Sequence, residues 1–291
     1  YRGNTKYNLD DYQGAAVELE KAVSMGANSY ETFANLGNAK FRMENYRDAI
    51  TNYDKAIASG KADALLYNNR GKAKLNLKDY KGSISDFDKS LELKPGNEKA
   101  MENRAEARYQ LQDWKGSIAD YEKLIASGRS DVEFYQKTGT SKFALRDYEG
   151  AAKALSIVVE KRIKDKDVFR MLGLSYAQLG NCTEAQNSLA AAVSMGAKDK
   201  DVYSQLGICQ FRSKDYKGSV ESLTQAINAG SNTPEVFLYK GYAGYWQKDY
   251  DNALRDLEKS VAWGAKEAEA HKYTADIRVL KNDFAGTIKE D

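Results

Sequence analysis

Apolar and small residues recur along this chain at helical spacing, in paired segments joined by short polar turns. In residues 29–62 the first segment places them at Phe33, Leu36, Gly37, Phe41 and Met43. The second segment places them at Ala49, Ile50, Tyr53, Ala56 and Ile57. Asn45 lies between the segments, where its side chain is expected to accept from the first free amides of the second helix. Gly60 is expected to end that helix in a left-handed conformation, and the pattern predicts a helical hairpin.

The hairpin pattern repeats every 34 residues, nine times, without insertion or deletion. Its clearest marker follows an Asp or Asn in every repeat: Tyr12, Tyr46, Tyr80, Trp114, Tyr148, Cys182, Tyr216, Tyr250 and Phe284. A fixed period of this length is typical of a solenoid, in which each unit buries its apolar face only by stacking on neighbours. The sequence therefore predicts one solenoid over residues 1–291, with repeats at 1–28 (partial), 29–62, 63–96, 97–130, 131–164, 165–198, 199–232, 233–266 and 267–291 (partial).

One position of the first helix is almost always glycine: Gly3, Gly37, Gly71, Ala105, Gly139, Gly173, Gly207, Gly241 and Ala275. Because glycine inside a helix costs about 1 kcal/mol relative to alanine, its recurrence predicts a close approach of the two helices of a hairpin. Repeat five lacks the glycine that ends the second helix in most other repeats. Residues 158–167 are therefore expected to form a longer helix or to change the local stacking angle.

The aromatic at Phe33, the small pair Gly37 and Ala49, the large Tyr53 and the small Ala56 match in register the pattern of the tetratricopeptide repeat. Over essentially its whole length the chain resembles this family, and its Lys- and Asn-rich composition resembles bacterial members, including envelope and secretion scaffolds. The resemblance implies an all-α, right-handed α-solenoid superhelix of about nine 34-residue helix–turn–helix repeats. It also implies a concave groove, lined by the first helices, that binds protein or peptide partners.

Charge at two positions sixteen residues apart is correlated between repeats. A basic residue at the first has an acidic counterpart at the second in four repeats: Arg2 with Glu18, Arg70 with Asp86, Arg104 with Asp120 and Lys240 with Asp256. Where the first is neutral, the second is neutral as well, except in the truncated last repeat. Because a half-buried charge without a partner is costly, the pattern predicts an ion pair between the two helices of these repeats.

The composition gives little reason to expect catalysis. With 44 basic and 42 acidic residues, the chain has no charge excess that favours nucleic acid. No apolar run approaches the roughly 18 residues that span a bilayer. The only histidine, His271, occupies the position of Phe33 and Tyr67 and is expected to be at least half-buried. Because neither phosphate-binding glycine loops nor metal-ligand spacings occur, we predict no enzyme activity, no cofactor and no metal site.

The two cysteines, Cys182 and Cys209, leave two alternatives. The favoured one is a pair of separate, small, buried thiols. The other is a bridge between the start of one repeat's second helix and the following first helix.

Asparagines cluster on the predicted groove side of repeats two to four: Asn35, Asn38, Asn68, Asn69, Asn76 and Asn103. Asn35, Asn69 and Asn103 share one position of the repeat. Because a carboxamide both donates and accepts, it can pair with a peptide backbone whatever the peptide's side chains. The row resembles the asparagine ladder of the tetratricopeptide region of protein O-GlcNAc transferases, which implies a peptide bound along it. The alternative is that asparagine is simply tolerated on a solvated face.

The family also has a clamp for the C-terminal carboxylate of chaperones. By resemblance it would fall on Ala34, Asn38, Asn69, Lys99 and Asn103. Asn38, Asn69 and Lys99 are of the required types, whereas Ala34 and Asn103 replace cations. The resemblance therefore predicts binding residues here but only part of the clamp.

Repeat eight carries a second candidate surface. Its groove side is predicted to expose Leu238, Tyr239, Tyr242 and Trp246, with Tyr273 following in repeat nine. A contiguous exposed aromatic patch usually marks an interaction site. The alternative is that a segment following residue 291, absent from this sequence, covers the patch as a capping helix.

These features predict a non-catalytic interaction scaffold that binds an extended peptide or a partner helix, with polar contacts in repeats two to four and aromatic anchors in repeats seven to nine. One alternative is a structural or assembly subunit of a larger complex, such as a cell-envelope or secretion complex. Another is the targeting region of an enzyme whose catalytic domain lies elsewhere. Both ends fall inside a repeat, so we expect a longer protein. Partner, oligomeric state and location, bacterial cytoplasm or periplasm, are left open by the sequence.

Overall fold

The computed structural model describes residues 2–60, 63–265 and 268–287. These residues form seventeen α-helices, and no strand occurs among them, so the predicted all-α fold class is confirmed. None of the helices in these ranges is long and apolar enough to cross a membrane. The chain divides into two compact units, residues 1–141 and 142–291, which are described separately.

The first unit is a stack of helical hairpins. Its helices are α1 (Arg2–Asn8), α2 (Tyr12–Ser24), α3 (Tyr30–Arg42), α4 (Tyr46–Ala58), α5 (Ala64–Asn76), α6 (Tyr80–Leu93), α7 (Glu98–Gln110), α8 (Trp114–Ala126) and α9 (Val132–Ala144), which contains the boundary between units. Helices α1 to α8 pair in order, and α2, α4 and α6 also pack on the first helix of the next hairpin. Because α3 contacts α5 and α5 contacts α7, the first helices form a continuous surface.

The second unit is built in the same way. Its helices are α10 (Tyr148–Glu160), α11 (Lys166–Gln178), α12 (Cys182–Ser194), α13 (Lys200–Arg212), α14 (Tyr216–Asn228), α15 (Pro234–Trp246), α16 (Tyr250–Ala262) and α17 (Ala268–Thr287). The first helices α11, α13, α15 and α17 contact one another in series. They form the corresponding surface of this unit.

Each of the first eight repeats turns through one residue in the left-handed conformation, directly before the Asp or Asn, whereas α17 of the ninth continues through Asp283. This residue has φ between +59° and +64° at Asp10, Glu44, Lys78, Gln112, Arg146, Lys214 and Lys248. In most hairpins the following Asp then caps the second helix, as where Asp11 accepts from the amide of Gly14 at 2.8 Å. The capping predicted for Asn45 is wrong, because its Nδ2 donates to the Asp48 carboxylate at 2.7 Å, a charge-assisted bond that competes with the cap.

The close approach predicted at the recurrent glycine is confirmed. A Cβ added to Gly37 would lie 2.6 Å from the ring of Tyr53, and one added to Gly71 would lie 2.6 Å from the ring of Phe87. In the second unit, a Cβ on Gly173 would lie 2.7 Å from Leu189. The glycine therefore makes room for the large side chain sixteen residues later, on the second helix of the same hairpin.

The second helix of repeat five is not longer than its neighbours. Helix α10 has 13 residues and ends at Glu160. Arg162 then adopts φ +61°, at the position where Gly128 has +101° and Gly196 has +92°. The longer helix predicted here is therefore wrong, because an arginine takes the left-handed turn that glycine takes elsewhere.

The predicted ion pairs are confirmed in three repeats. Asp86 accepts from Arg70 Nη2 at 2.5 Å and Nε at 2.9 Å, and Asp120 accepts from Arg104 with the same pair of distances. Lys240 Nζ lies 2.5 Å from Asp256 Oδ2. The fourth pair falls on Arg2, whose side chain lies outside the described part of the structure.

Candidate functional site

Four asparagines on the first helices of the first unit form a hydrogen-bonded row. Asn103 Nδ2 on α7 donates to Asn68 Oδ1 on α5 at 3.2 Å. Asn68 Nδ2 donates to Asn69 Oδ1 at 3.4 Å, and Asn69 Nδ2 donates to Asn38 Oδ1 on α3 at 3.1 Å. The three hydrogen bonds run in the same direction along the stack, from Asn103 to Asn38. We call these four residues the asparagine row.

The Asn38 end of the row is fixed by a buried tyrosine. Tyr53 Oη donates to Asn38 Oδ1 at 2.9 Å, so that this oxygen has two donors. Burial raises the pKa of Tyr53, which keeps the hydroxyl protonated. In the described ranges Asn38 Nδ2 has no hydrogen-bond partner, and at the other end neither has Asn103 Oδ1. The row therefore offers a donor at one end and an acceptor at the other.

Two small cavities flank Asn38 and Asn69, which line both. The first, of about 150 Å³, is completed by Tyr30, Glu31, Ala34, Asn35, Leu65 and Leu66. The second, of about 160 Å³, is completed by Tyr7, Phe41, Arg42, Tyr53 and Lys72. Small-molecule pockets usually enclose about 300–1,000 Å³, so these two cavities suit single side chains better than a whole ligand.

The structure brings together only part of the residue set expected from the sequence. Asn38, Asn69 and Asn103 belong to the row, while Asn35 lines the first cavity beside it. Asn68, which was expected on this face but not at the site, supplies the link between α7 and α5. Lys99 is exposed on α7 and lines neither cavity.

Beyond Asn103 the polar surface changes from carboxamides to an ion pair. Lys137, at the position equivalent to Asn103, pairs with Glu106 and Glu133. Burial acts to raise the pKa of Glu106, but bonds from Lys137, from Gln110 and from Tyr121 Oη at 3.1 Å lower it overall. The carboxylate therefore stays charged, and an ion pair takes the place of a further carboxamide beyond the row.

The aromatic surface of the second unit is less exposed than expected. Leu238 and Tyr242 are each only 3% exposed, so the exposure predicted for them is wrong. Tyr242 is enclosed by rings on three sides, with centroids at 4.8 Å for Tyr273, 5.9 Å for Phe211 and 6.1 Å for Tyr239. Tyr273, itself one of the residues expected in the patch, lies on α17 and packs on Tyr242.

Trp246 is the most exposed side chain of the expected patch. Its side chain is 51% exposed, yet it stacks on Tyr216 with ring centroids 5.7 Å apart. Tyr239 and Tyr273 are half-buried and pack on Tyr242. We call Tyr239, Trp246 and Tyr273 the aromatic surface.

Two further expectations from the sequence are corrected. Cys182 and Cys209 form a disulfide with Cα atoms 4.9 Å apart, so the favoured alternative of separate thiols is wrong. His271 is exposed rather than half-buried. In the described parts of the chain no cluster of three or more His, Cys, Asp or Glu side chains could hold a metal ion.

Comparison with known proteins agrees with this architecture. Residues 35–98 and 170–234 match the family model described as tetratricopeptide repeat. No curated protein sequence matches the chain. The C-terminal part of a TPR repeat-containing protein from Cytophaga hutchinsonii is 13% identical, with 94% of this chain and 98% of that chain covered and a TM-score of 0.53. YrrB, described as a TPR protein with an unusual peptide-binding site, is 21% identical, with coverages of 63% and 95% and a TM-score of 0.53. At these identities the likeness concerns the fold alone.

Proposed function

The chain belongs to the tetratricopeptide repeat family, and from this premise we propose that it is a non-catalytic scaffold whose asparagine row binds an extended peptide of a protein partner. The observation that carries the proposal is the row itself. It crosses three first helices and leaves one amide donor and one carbonyl acceptor without partners in the described ranges. YrrB shares the fold and is described as having a peptide-binding site, so the fold is compatible with this role.

The spacing of the row suits an extended chain. Neighbouring packed helices lie about 8–10 Å apart, and an extended peptide rises about 3.3 Å per residue. Each first helix therefore meets roughly every third peptide residue. The backbone can donate to Asn103 Oδ1 and accept from Asn38 Nδ2, while peptide side chains enter the cavities on either side of Asn69. These contacts select for an extended backbone more than for a particular sequence.

The proposal is tested with a displayed library of random-sequence peptides. The best peptide selected by the whole chain is titrated calorimetrically into wild type, Asn38→Ala and Asn103→Ala. Each lost hydrogen bond is worth about 0.5–1.5 kcal/mol, so each variant should bind about 2- to 13-fold more weakly. Asn187→Ala, exposed on α12, is the matched control and should bind like wild type.

Two outcomes would contradict the proposal. The first is that no peptide is selected. The second is that peptides bind equally to wild type and to both row variants. A thermal melt of each variant separates lost binding from lost folding, because Asn38 also bonds the buried Tyr53.

The aromatic surface supports a second candidate function, the anchoring of a fixed partner within a larger assembly. A tryptophan that is half exposed and held by stacking loses little side-chain freedom on binding, and tryptophan is enriched at interface hot spots. Trp246→Ala should therefore abolish a crosslink to the partner in the native source. Trp263→Ala is the matched control, since Trp263 is 42% exposed and contacts Phe237 rather than the aromatic surface. Equal crosslinking in both variants would exclude this role.

A further inference from the structure

A third cavity of the first unit, of about 220 Å³, lies among α2, α3 and α4. Its lining includes Glu20, Leu36, Lys40, Asp48, Thr51 and Asn52. It shares no lining residue with the two cavities at the asparagine row. Leu36 and Asn38 are two residues apart on α3, so they lie on different sides of that helix. The volume is below the roughly 300–1,000 Å³ of small-molecule pockets, so the cavity suits a single side chain.

In repeats three and four the equivalent space is filled by an arginine of the chain itself. Arg70 donates through Nε to Asp86 at 2.9 Å and through Nη1 to Asp54 at 2.7 Å. Asp86 lies on the second helix of the same repeat, and Asp54 lies on the second helix of the repeat before. The same arrangement recurs in repeat four with Arg104, Asp120 and Asp88. Two acceptors therefore hold one guanidinium between neighbouring second helices.

Repeat two keeps the acceptor positions but lacks the arginine. Leu36 stands where the arginine stands in the next two repeats, and Asn52 and Glu20 stand where its two acids stand. Because the hairpins are of equal length and pack in the same way, these two positions face the space that a guanidinium fills in repeat three. In repeat two that space is the cavity.

The two lysines that line the cavity do not reach the acceptors of α4. Lys40 Nζ lies 2.6 Å from Glu20 Oε1, whereas the equivalent Lys74 contacts Asp86 on the second helix of its own repeat. Lys55 Nζ lies over the ring of Phe33, 5.6 Å from its centre. Glu20 is therefore compensated, and the α4 side of the cavity is not.

That side offers one carboxylate and one carbonyl oxygen. Asp48 accepts from Asn45 Nδ2 at 2.7 Å, and among the described residues no Lys or Arg lies within salt-bridge distance of it. Asn52 Nδ2 donates to the backbone oxygen of Asp48 at 2.8 Å, while its Oδ1 has no hydrogen-bond partner within the described ranges. Repeats three and four have glycine in place of Asp48, at Gly82 and Gly116. The additional acid thus occurs in the repeat that lacks the arginine.

We propose that this cavity binds a guanidinium group, the side chain of an arginine on a partner protein. A guanidinium carries five N–H donors in a fixed fork, so it can donate to Asn52 Oδ1 and to the Asp48 carboxylate together, as Arg70 donates to two acceptors in repeat three. An ammonium group lacks this fork. The site goes beyond the proposed peptide function, because the asparagine row contributes no residue to it.

The test uses small probes titrated into the 15N-labelled whole chain. N-acetyl-arginine amide carries the guanidinium, N-acetyl-citrulline amide is its neutral isostere, and N-acetyl-lysine amide carries an ammonium. The backbone amide resonance of Thr51, which lines the cavity, is the reporter. We expect a saturable shift with a dissociation constant of about 1–30 mM for the arginine probe, and binding at least about 5-fold weaker for the other two. Free arginine should bind no more tightly than its N-acetyl amide.

Matched variants assign the shift to the cavity. Asp48→Asn removes a charge from an exposed side chain and should weaken binding of the arginine probe about 5- to 10-fold. Glu184→Gln, an exposed acid at the same repeat position on α12, should bind like wild type. Leu36→Arg combined with Asn52→Asp rebuilds the ion pair of repeat three within repeat two. This variant should abolish the shift, because its own guanidinium fills the cavity, and a thermal melt shows whether it is folded.

Three results would overturn the inference. The first is the absence of a saturable shift at Thr51 up to about 100 mM of the arginine probe. The second is equal binding of the citrulline or the lysine probe. The third is unchanged binding in Asp48→Asn, which does not depend on the folding of the double variant. Free arginine that binds about 10-fold more tightly than its N-acetyl amide would overturn the assignment to a partner protein, because the amino acid itself would then be the ligand.

Discussion

Replacing the buried pair Arg70 and Asp86 tests how charge is accommodated between the helices. The Asp86 side chain is 3% exposed and accepts from Arg70 Nε at 2.9 Å, from Arg70 Nη2 at 2.5 Å and from Lys74 Nζ at 2.8 Å. The second unit holds a neutral version of the same pair, Leu172 with Ser188, both buried. The relevant variants are therefore Arg70→Leu, Asp86→Ser and the two combined.

The expected free energies follow from the contacts. Breaking a buried ion pair by removing one partner costs about 3–5 kcal/mol, but Lys74 still contacts Asp86, so Arg70→Leu should cost about 2–3 kcal/mol. The double variant removes the buried acid and places the neutral pair of repeat six between the helices, but it leaves the half-buried Lys74 without a carboxylate, so it should cost about 1 kcal/mol. Arg70 also contacts Asp54 at 2.7 Å, and that exposed contact adds little. Asp86→Ser leaves both Arg70 and Lys74 without this acceptor and should cost about 1–2 kcal/mol, so the coupling energy should be about 3 kcal/mol.

The assay is equilibrium unfolding in urea, with amide hydrogen exchange in α5 and α6 as the local measure, since repeat arrays can unfold in parts. The control cycle uses Lys89→Ala and Glu92→Ala, an exposed pair on α6 whose coupling should stay below about 0.5 kcal/mol. The reasoning is refuted if the double variant is at least as unstable as Arg70→Leu, or if the single effects add within about 0.3 kcal/mol.

Three further outcomes are expected. Reducing the disulfide between Cys182 and Cys209 should destabilise the second unit by about 3–4 kcal/mol, because the bridge closes a loop of 27 residues in the unfolded chain. A thiol titration that finds two free thiols in denatured, unreduced protein would contradict the bridge. Arg162→Gly should raise stability in urea by about 0.5–1 kcal/mol, because it relieves a left-handed arginine, and a loss would contradict that account. Because the pKa of Glu106 is lower in the folded protein than its ordinary value of 4.5, its ionised carboxylate stabilises the fold. This stabilisation is fully present above pH 4.5 and is lost as the pH falls through the lower pKa of the folded state. The melting temperature of Glu106→Gln should therefore decrease less steeply below pH 4.5 than that of wild type. Parallel decreases in the two proteins would contradict the assignment.

The period and the packing positions could be predicted because each is a local property of one repeat. A glycine sixteen residues before Tyr53 or Phe87 indicates a close contact whatever the neighbouring repeats contain. The ion pairs were predictable for a similar reason, since both members change together within one hairpin. Two local predictions failed. The Asn45 side chain bonds the Asp48 carboxylate instead of capping its helix. Arg162 takes the left-handed conformation that glycine takes in other repeats, so no longer helix forms there.

The candidate site could be predicted only in part, because it depends on contacts between repeats. Asn35, Asn69 and Asn103 share a position, yet Asn69 bonds Asn38 and Asn103 bonds Asn68, so the row follows side-chain reach rather than register. The sequence also gave no measure of how far neighbouring rings enclose each aromatic side chain of repeat eight.

The central claim is that a peptide lies along the asparagine row, and side-chain amide NMR spectra test it most directly. A library-selected peptide is added to 15N-labelled protein, with the asparagine NH2 resonances assigned by single substitutions. The account predicts saturable shifts at Asn38, Asn69 and Asn103 with Asn187 unchanged. Shifts confined to Asn187 and other outward-facing asparagines, with the row unperturbed at saturation, would contradict it.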